Sequence, residues 1–590
     1  MLPRPQLRTR FAAIVAPDGH SLRVLIEDEP LPLITPATPG AIVLARRDAD
    51  AAHVLRELAA PGTALAELHA IAARFGVDIA FPDDVMSEVE RTVADPRLDA
   101  PELADLEALA FVTIDSAHAK DLDQAIHVAP RPDGGWIVRY AIADAGSYVP
   151  RGSALFAEAL RRGASYYLPG LSIPMLPRPL SEGTVSLNPD GPRRALVFEM
   201  HLDAQGRSLA TELVRARIRS RAKLSFESVQ QLFDDPARSE LTGTEMEPSL
   251  RAMAEVGEAR LREAAERDVV RYRRRDVDVA LSSAAGERFV VLEGVRADVE
   301  LWNEQISLLC NAEGARLLAE TDAPFVQPIY RIHPPPDPER VESLREAIVR
   351  IVDAHRLPDE WKWDEGRASL AVYVASLPDH GPHARVARAI QRQAILTNVR
   401  SRYATEPATH HGVGFEPYAR FSAPMREVVG VYLHAEALQM LEGRAIDDED
   451  AEALRERVVE SANRSKDVQR AITDLVNRRV IDRLFEADLA EPRASRRTWR
   501  GTVMGVAGSK LHVQLDDPGI DVKVYLYDLA QGWGGVWLEP DEHGVVLREQ
   551  KTKRVRAIVG DAITIRVLKR DEGRDRWVLE ALAIGAEAER

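Results

Sequence analysis

The segment from Val112 to Val128, VTIDSAHAKDLDQAIHV, gathers Asp115, Asp121 and Asp123 into nine residues. It lies between two apolar runs, FVTI and AIHV, that read as short strands bounded by polar turn residues. Ionised acids this close repel one another. They persist if water screens them, if a basic residue faces them, or if a hard cation such as Mg²⁺ sits among their oxygens. In extended chain Asp121 and Asp123 point the same way, with Cα atoms roughly 6.6 Å apart, so two side chains can converge on one ion. The alternative is a set of turn and capping aspartates on a solvated loop.

At 590 residues the chain is expected to hold several domains, because single cores seldom grow beyond about 250 to 300 residues. No run of eighteen apolar residues occurs, and FAAIVA near the N-terminus is too short for a signal-peptide core, so the expectation is a cytoplasmic protein that does not enter a membrane. The single cysteine, Cys310, lies in the helical pattern LLCNAEGARLL and reads as a small buried hydrophobe. A net charge of −16 argues against a generally basic surface that coats nucleic acid, but not against a groove that draws in one strand. Basic runs occur at RYRRRD (271 to 276), RRTWR (496 to 500) and KTKRVR (551 to 556), and acidic DDEDAE (447 to 452) reads as an exposed helix.

Residues 1 to 48 alternate short apolar runs with turn signals and read as a small β unit in which Asp18-Gly19 fits a hairpin turn. From 49 to 109 the pattern is helical, with DAAHVLRELAA, TALAELHAIAARFG and PDDVMSEVERTV as helices. Thr63 and Pro82 mark helix starts and Gly76 a stop, and the region reads as a winged helix-turn-helix or a helical spacer. Residues 110 to 490 mix strands with long helices near 246 to 268, 298 to 320 and 449 to 487. After a Pro- and Arg-bearing linker, 497 to 585 reads as five short strands with the tryptophan-rich insertion QGWGGVWLEPDEHG, whose role the sequence does not explain. The fold class is therefore α+β and multidomain, with a mixed α/β centre.

The stretch TIDSAHAKDLDQA, followed by IADAGSYVPRGSALFAEALRRGASYYLPGLSIPMLPRPLSEGTVSLNP, resembles the catalytic domain of the ribonuclease II family, the RNB domain. The family pattern runs TIDxxxxxDxDDA, IAD, Gly-Ser, RGxSxYLP, IPMLP and SLNP in that order. The resemblance implies a 3′-to-5′ exoribonuclease that hydrolyses single-stranded RNA to nucleoside 5′-monophosphates with Mg²⁺, or Mn²⁺ in its place. It implies metal ligation by Asp115, Asp121 and Asp123, with Gln124 standing where the family has a fourth aspartate and offering at best a neutral carbonyl oxygen. Ions about 3.5 to 4 Å apart would activate water and stabilise the leaving 3′ oxygen. Asp123 and Arg426 carry the catalytic roles, Arg426 by its place after the SAPM element in HHGVGFEPYARFSAPMREVVGVYLH. His434 matches that element, whereas Gly430 and Ala435 replace the family's Asp and Arg, and Asn477 replaces a channel-bracing Glu.

By the same resemblance Phe226 and Tyr330 stack the 3′-terminal bases of the RNA. Core packing is the other reading of both rings. Residues 497 to 585 are similar to an S1-like oligonucleotide-binding barrel, with Trp499, His512, Tyr525 and Tyr527 as candidate platforms. The family's usual N-terminal cold-shock barrels leave no aromatic-rich trace in residues 1 to 80. The expected partner is single-stranded RNA, bound by a monomer. The rival expectation is an RNA-binding or regulatory protein on the same fold, weakened as a catalyst by the changes at Gln124, Gly430 and Asn477.

Overall fold

A computed structural model describes residues 9–26, 30–267, 269–270, 276–283, 287–294, 296–445 and 450–589. The N-terminal unit is a five-stranded antiparallel sheet in the spatial order third, second, first, fourth, fifth, its strands being Arg10–Val15, Ser21–Val24, Pro30–Pro32, Ile42–Asp48 and Ala51–Ala59. The hairpin at Asp18-Gly19 forms, with Gly19 at φ 70°. A parallel bridge from Leu33 to Ala52 brings the third strand to the fifth and curls the sheet toward closure.

The segment read as a first helix, DAAHVLRELAA, is instead that fifth strand, so the β unit extends to Ala59 rather than 48. Asp48 pairs with Ala51 across a tight turn that puts Ala49 at φ 52°. Helix-favouring Ala, Leu, Arg and Glu yield there to a neighbouring strand with open hydrogen-bonding groups. Two helices follow as expected, Ala64–Arg74 capped by Thr63 and Asp83–Ala94 starting after Pro82. Both pack against later elements of the chain. The first packs Leu68 and Ile71 on Val468 and Ile472 of the long helix Ala451–Ala490. The second lends Glu88 to cap the N-terminus of helix Ala154–Arg162, accepting from the Ala154 and Leu155 amides at 3.0 and 2.8 Å.

The centre is a seven-stranded mixed sheet in the order Ser220–Ser225, Phe111–Asp115, Gln124–Pro130, Trp136–Ala143, Arg193–Leu202, Ser208–Ile218, Ala104–Asp105. Helices Glu247–Glu266 and Asp298–Ala319 cross where Gly257 meets Trp302, and a Cβ at Gly257 would lie 2.3 Å from that side chain. The C-terminal unit repeats the strand order of the first, with Thr498–Ala507, Lys510–Leu515, Asp521–Tyr525, Ala562–Asp571 and Arg576–Ile584. The tryptophan-rich insertion supplies the first strand, Leu538–Pro540, of a three-stranded meander completed by Val546–Glu549 and Val555–Ile558. The meander buries Val545 and Val559 against Ile348, Ile351 and Ile390 of the central domain's helices, and so fastens the C-terminal unit to them.

Helix Val428–Glu442 runs through the middle of the central core. Gly430 has a packing explanation, for a Cβ there would lie 2.6 Å from Pro424 Cα, and no side chain fits between helix and turn. His434 on the same helix is fully buried and its Nε2 donates to the Phe421 carbonyl at 3.2 Å. Burial lowers its pKa to about 4. Gly430→Ala should cost about 1–3 kcal/mol by overpacking, read as a lower urea midpoint, and an unchanged midpoint would contradict the close approach.

The unfolded chain takes up a proton at His434 near its ordinary pKa of 6.5, before the folded chain does. Its contribution is therefore complete above about pH 6.5 and is lost as pH falls toward 4. His69 and His410, also lowered to about 4 by burial, act in the same direction. Urea unfolding at pH 7 and pH 5 should show lower stability at pH 5, with a shallower pH slope in His434→Gln; equal slopes would remove His434 from the account.

Candidate active site

Strand Phe111–Asp115 ends at Asp115, and strand Gln124–Pro130 begins directly after Asp123, so the intervening loop must turn the chain with its acids facing inward. The SLNP element holds that loop. Ser186 Oγ accepts from the Leu122 amide at 2.9 Å and donates to the Lys120 carbonyl at 2.9 Å. From the IAD strand, the Ala143 amide donates to the Asp123 carbonyl at 2.8 Å.

Arg426 is delivered to the same place by the RGASYYLP element. The Ser165 amide donates to the Arg426 carbonyl at 2.8 Å, and the Val428 amide to the Gly163 carbonyl at 3.0 Å. The Arg426 side chain then meets all three acids. Its Nη2 donates to Asp115 Oδ2 at 3.0 Å and to the Asp121 carbonyl at 3.0 Å. Its Nε lies 3.3 Å from Asp121 Oδ2 and 2.6 Å from Asp123 Oδ2. Asp123 is only 2% exposed, and its Oδ1 accepts from the Met425 amide at 3.0 Å. Burial pushes the Asp123 carboxyl up to about 7 against the pull of Arg426, with Asp121 and Asp115 adding to the push. Burial alone would lower Arg426, but the facing carboxylates of Asp123 and Asp121 outweigh it and hold the guanidinium firmly cationic.

Gln124 is engaged elsewhere. Its Nε2 donates to the Ser422 carbonyl at 2.7 Å, and its Oε1, the atom it would offer to a cation, accepts from the Tyr140 hydroxyl. Ser422 is itself fixed by buried Asn311, whose Oδ1 accepts from the Phe421 and Ser422 amides at 2.7 and 3.0 Å. The side chain expected to be a weak metal ligand thus ties the aspartate strand to the segment carrying Arg426. Cys310, next to Asn311, is a buried free thiol, as its helical context predicts.

A cavity of about 190 Å³ opens beside these groups, lined by Asp115, Asp123, Gln124 and Arg426 together with Phe226 and Asn303. Phe226 opens the helix Phe226–Asp234, capped by Ser225, and its half-buried ring lines the cavity while packing in part against the central core. Tyr330 does not join it. This ring is 4% exposed, in a strand paired to Arg402–Ala404, and packs with Ile332 and Ala404, so its faces are not open to a base. A three-residue strand shows no alternation from which its buried face could be read. Asn477 lies on the exposed side of the long helix.

Tyr167, which the sequence reading passed over, is 46% exposed and donates to Asp121 Oδ2 at 3.1 Å. Its signal was the doubled tyrosine within RGASYYLP. In the C-terminal unit Trp499 is 2% exposed and donates to Asp488 Oδ2 at 2.6 Å, a core residue rather than a platform. The run RRTWR is likewise structural, Arg496 donating to the Leu568 carbonyl at 2.7 Å and Arg497 stacking 3.9 Å over Trp499. Of the run RYRRRD, residues 271–275 lie outside the described residues, as do 447–449 of DDEDAE.

The carboxylates of Asp115, Asp121 and Asp123, with Asp123 Oδ2 buried and held only by its ion pair with Arg426, suit a hard divalent cation in donor chemistry. Among the described residues no three acids stand as a finished cage, and the guanidinium of Arg426 contacts each of Asp115, Asp121 and Asp123 instead. No helix among the described residues is long and apolar enough to cross a membrane.

Comparison with known proteins agrees with this geometry. Ribonuclease R of Aquifex aeolicus is 26% identical over 531 residues, covering 90% of this chain and 72% of that protein. The chain spans between 48% and 72% of the length of the ribonuclease R relatives from four bacteria. The fold is that of Mycoplasma genitalium RNase R, solved with ribose-methylated single-stranded RNA, at TM-score 0.78 and 20% identity over 98% of this chain and 90% of that one. A yeast pseudonuclease, Ssd1, matches at TM-score 0.58 and 15% identity over 92% of this chain and 68% of that one. Residues 103–443 match the RNB domain, more than half of the sequence, and the chain belongs to the RNB family.

Proposed function

We propose that this protein is a metal-dependent 3′-to-5′ exoribonuclease that degrades single-stranded RNA to nucleoside 5′-monophosphates, acting as a cytoplasmic monomer. The observation that carries the reading is the convergence of Asp115, Asp121 and Asp123 on Arg426 beside a cavity bordered by Phe226. Relatives named ribonuclease R and exoribonuclease 2 support it.

Asp115, Asp121 and Asp123 would hold the divalent cation, Mg²⁺ or Mn²⁺, which supplies Lewis-acid polarisation of the phosphate and of an attacking water. Phe226 stacks a base near the 3′ end and sets the register of the scissile bond. Water adds to phosphorus and the P–O3′ bond breaks; the O3′ oxygen takes up a proton from solvent to become the new 3′ hydroxyl of the shortened strand, and the phosphate stays on the 5′ carbon of the released nucleotide. Arg426, once the acids have another counter-ion, donates from its guanidinium to the phosphoryl oxygens on which charge develops. Asp123, oriented by the Met425 amide, accepts the proton from the water.

A second reading, RNA binding without hydrolysis, is favoured by the replacement of a fourth acid by Gln124 and by the fold shared with a pseudonuclease. Incubating a 5′-labelled single-stranded RNA in Mg²⁺ separates the two. A ladder shortening from the 3′ end, stopped by EDTA and slowed about 100-fold or more by Asp123→Asn, is the expected result. Tight binding of intact RNA in both Mg²⁺ and Mn²⁺ would establish the second reading. Gln124→Asp should not raise the rate, because a carboxylate has no donor for the Ser422 carbonyl; a faster enzyme would show that Gln124 is a substituted ligand.

A further inference from the structure

The cavity beside the acids holds one polar side chain that the mechanism leaves unused. Asn303 lines it together with Asp115, Asp123, Gln124, Phe226 and Arg426. The other polar groups there have partners. Asp115 and Asp123 are held by Arg426, Gln124 by Ser422 and Tyr140, and Thr113 Oγ1 donates to the Ala222 carbonyl at 3.5 Å. The Asn303 side chain makes no hydrogen bond among the described residues, so its carbonyl oxygen and its N–H donors are open to a molecule in the cavity.

Packing fixes where that amide stands. Asn303 belongs to helix Asp298–Ala319 and follows Trp302, a buried ring that meets Phe233 edge-to-face with centroids 4.9 Å apart. From the same helix the Val299 amide donates to Gln230 Oε1 at 3.2 Å. Phe233 and Gln230 lie on helix Phe226–Asp234, so the helix that starts at the stacking ring is clamped to the helix that carries Asn303. Ring and amide therefore border one cavity in a fixed relation.

We propose that Asn303 is a specificity-determining residue that reads the ribose 2′-hydroxyl of the nucleotide stacked on Phe226. This rests on the exoribonuclease reading, in which Phe226 takes the base and the acids with Arg426 take the scissile phosphate. The sugar joins base to phosphate, so a side chain bordering both groups meets the sugar. A 2′-hydroxyl donates and accepts, and it is the group by which a site tells RNA from DNA. A carboxamide matches it, Oδ1 accepting from the hydroxyl or Nδ2 donating to it. A deoxynucleotide in the same place leaves the amide unpaired in a cavity that the nucleotide has closed to water, and is disfavoured for that reason. The competing partner is a base edge, where an amide pairs with adenine and would impose a base preference that stacking on Phe226 does not.

The test is a cycle between side chain and substrate, run on the full chain. Short 5′-labelled strands, one all-ribose and the others carrying a single 2′-deoxynucleotide at successive positions from the 3′ end, are digested by the parent and by Asn303→Leu, which keeps the side-chain volume and removes its hydrogen bonds. At one position the deoxynucleotide should slow the parent about tenfold, as an unpaired polar group in a closed site does. Asn303→Leu should lower the all-ribose rate by the same factor and leave the rate on that deoxy strand at the parent value, equally for oligoadenylate and oligouridylate. Equal slowing of ribose and deoxy strands would assign Asn303 to packing, and a loss confined to oligoadenylate would assign it to the base. Either result would overturn the proposal. Asn303→Ala repeats the cycle, with thermal midpoints at the parent value showing that both variants fold. If the parent leaves every strand intact, the catalytic reading has failed, and the cycle is read as affinity: a ribose preference erased by Asn303→Leu supports the assignment, and one that survives it overturns the assignment.

Discussion

Three carboxylates held within 3.3 Å of one guanidinium place the strictest demand on this structure. Asp123 is withdrawn from water, and a buried carboxylate without a counter-charge would be neutralised or would open the site. Arg426 supplies that counter-charge from a segment some three hundred residues further along the chain, so the sheet and the helical half of the domain must meet in one register. Ser186, Ser165, Gly163 and the Met425 amide set that register through backbone contacts. The sequence elements that surround the acids are therefore the scaffold that aims them.

The departures from the family pattern take on meaning in the same frame. Gln124 exchanges a negative charge for two hydrogen bonds, one that stitches the aspartate strand to Ser422 and one that ties it to Tyr140 on the neighbouring strand. Gly430 lets the helix carrying His434 lie directly on the Pro424 turn. Both changes tighten the join between the strand bearing the acids and the segment bearing Arg426. Three acids facing one arginine gather more carboxylates than cations at the centre, a charge pattern that a divalent cation suits.

Much of this was legible in the sequence because it was encoded locally. Alternating strands, the caps at Thr63 and Pro82, the long helices and the aspartate cluster follow from spacing and residue type. What was not legible depended on partners distant in the chain. The strand Ala51–Ala59 has helix-favouring residues and yields to a neighbouring strand. Tyr330 and Trp499 carry rings suited to stacking, but tertiary packing covers them, while Phe226 and Trp537 keep theirs accessible. Nothing near Gln124 in sequence announces Tyr140 or Ser422 as its partners. The insertion, unexplained as sequence, opens a meander that buries Val545 and Val559 on the central helices.

Mn²⁺ binding followed by electron paramagnetic resonance, on the parent chain and on Asp121→Asn, Asp123→Asn and Gln124→Ala, tests the central arrangement most directly. The account predicts that each aspartate change weakens Mn²⁺ about tenfold or more, as loss of an anionic oxygen ligand should, while Gln124→Ala leaves the affinity at the parent value. If Gln124→Ala weakens Mn²⁺ as much as the aspartate changes do, or if the aspartate changes leave it untouched, the carboxylates that surround Arg426 are not the cation site and the mechanism built on them fails.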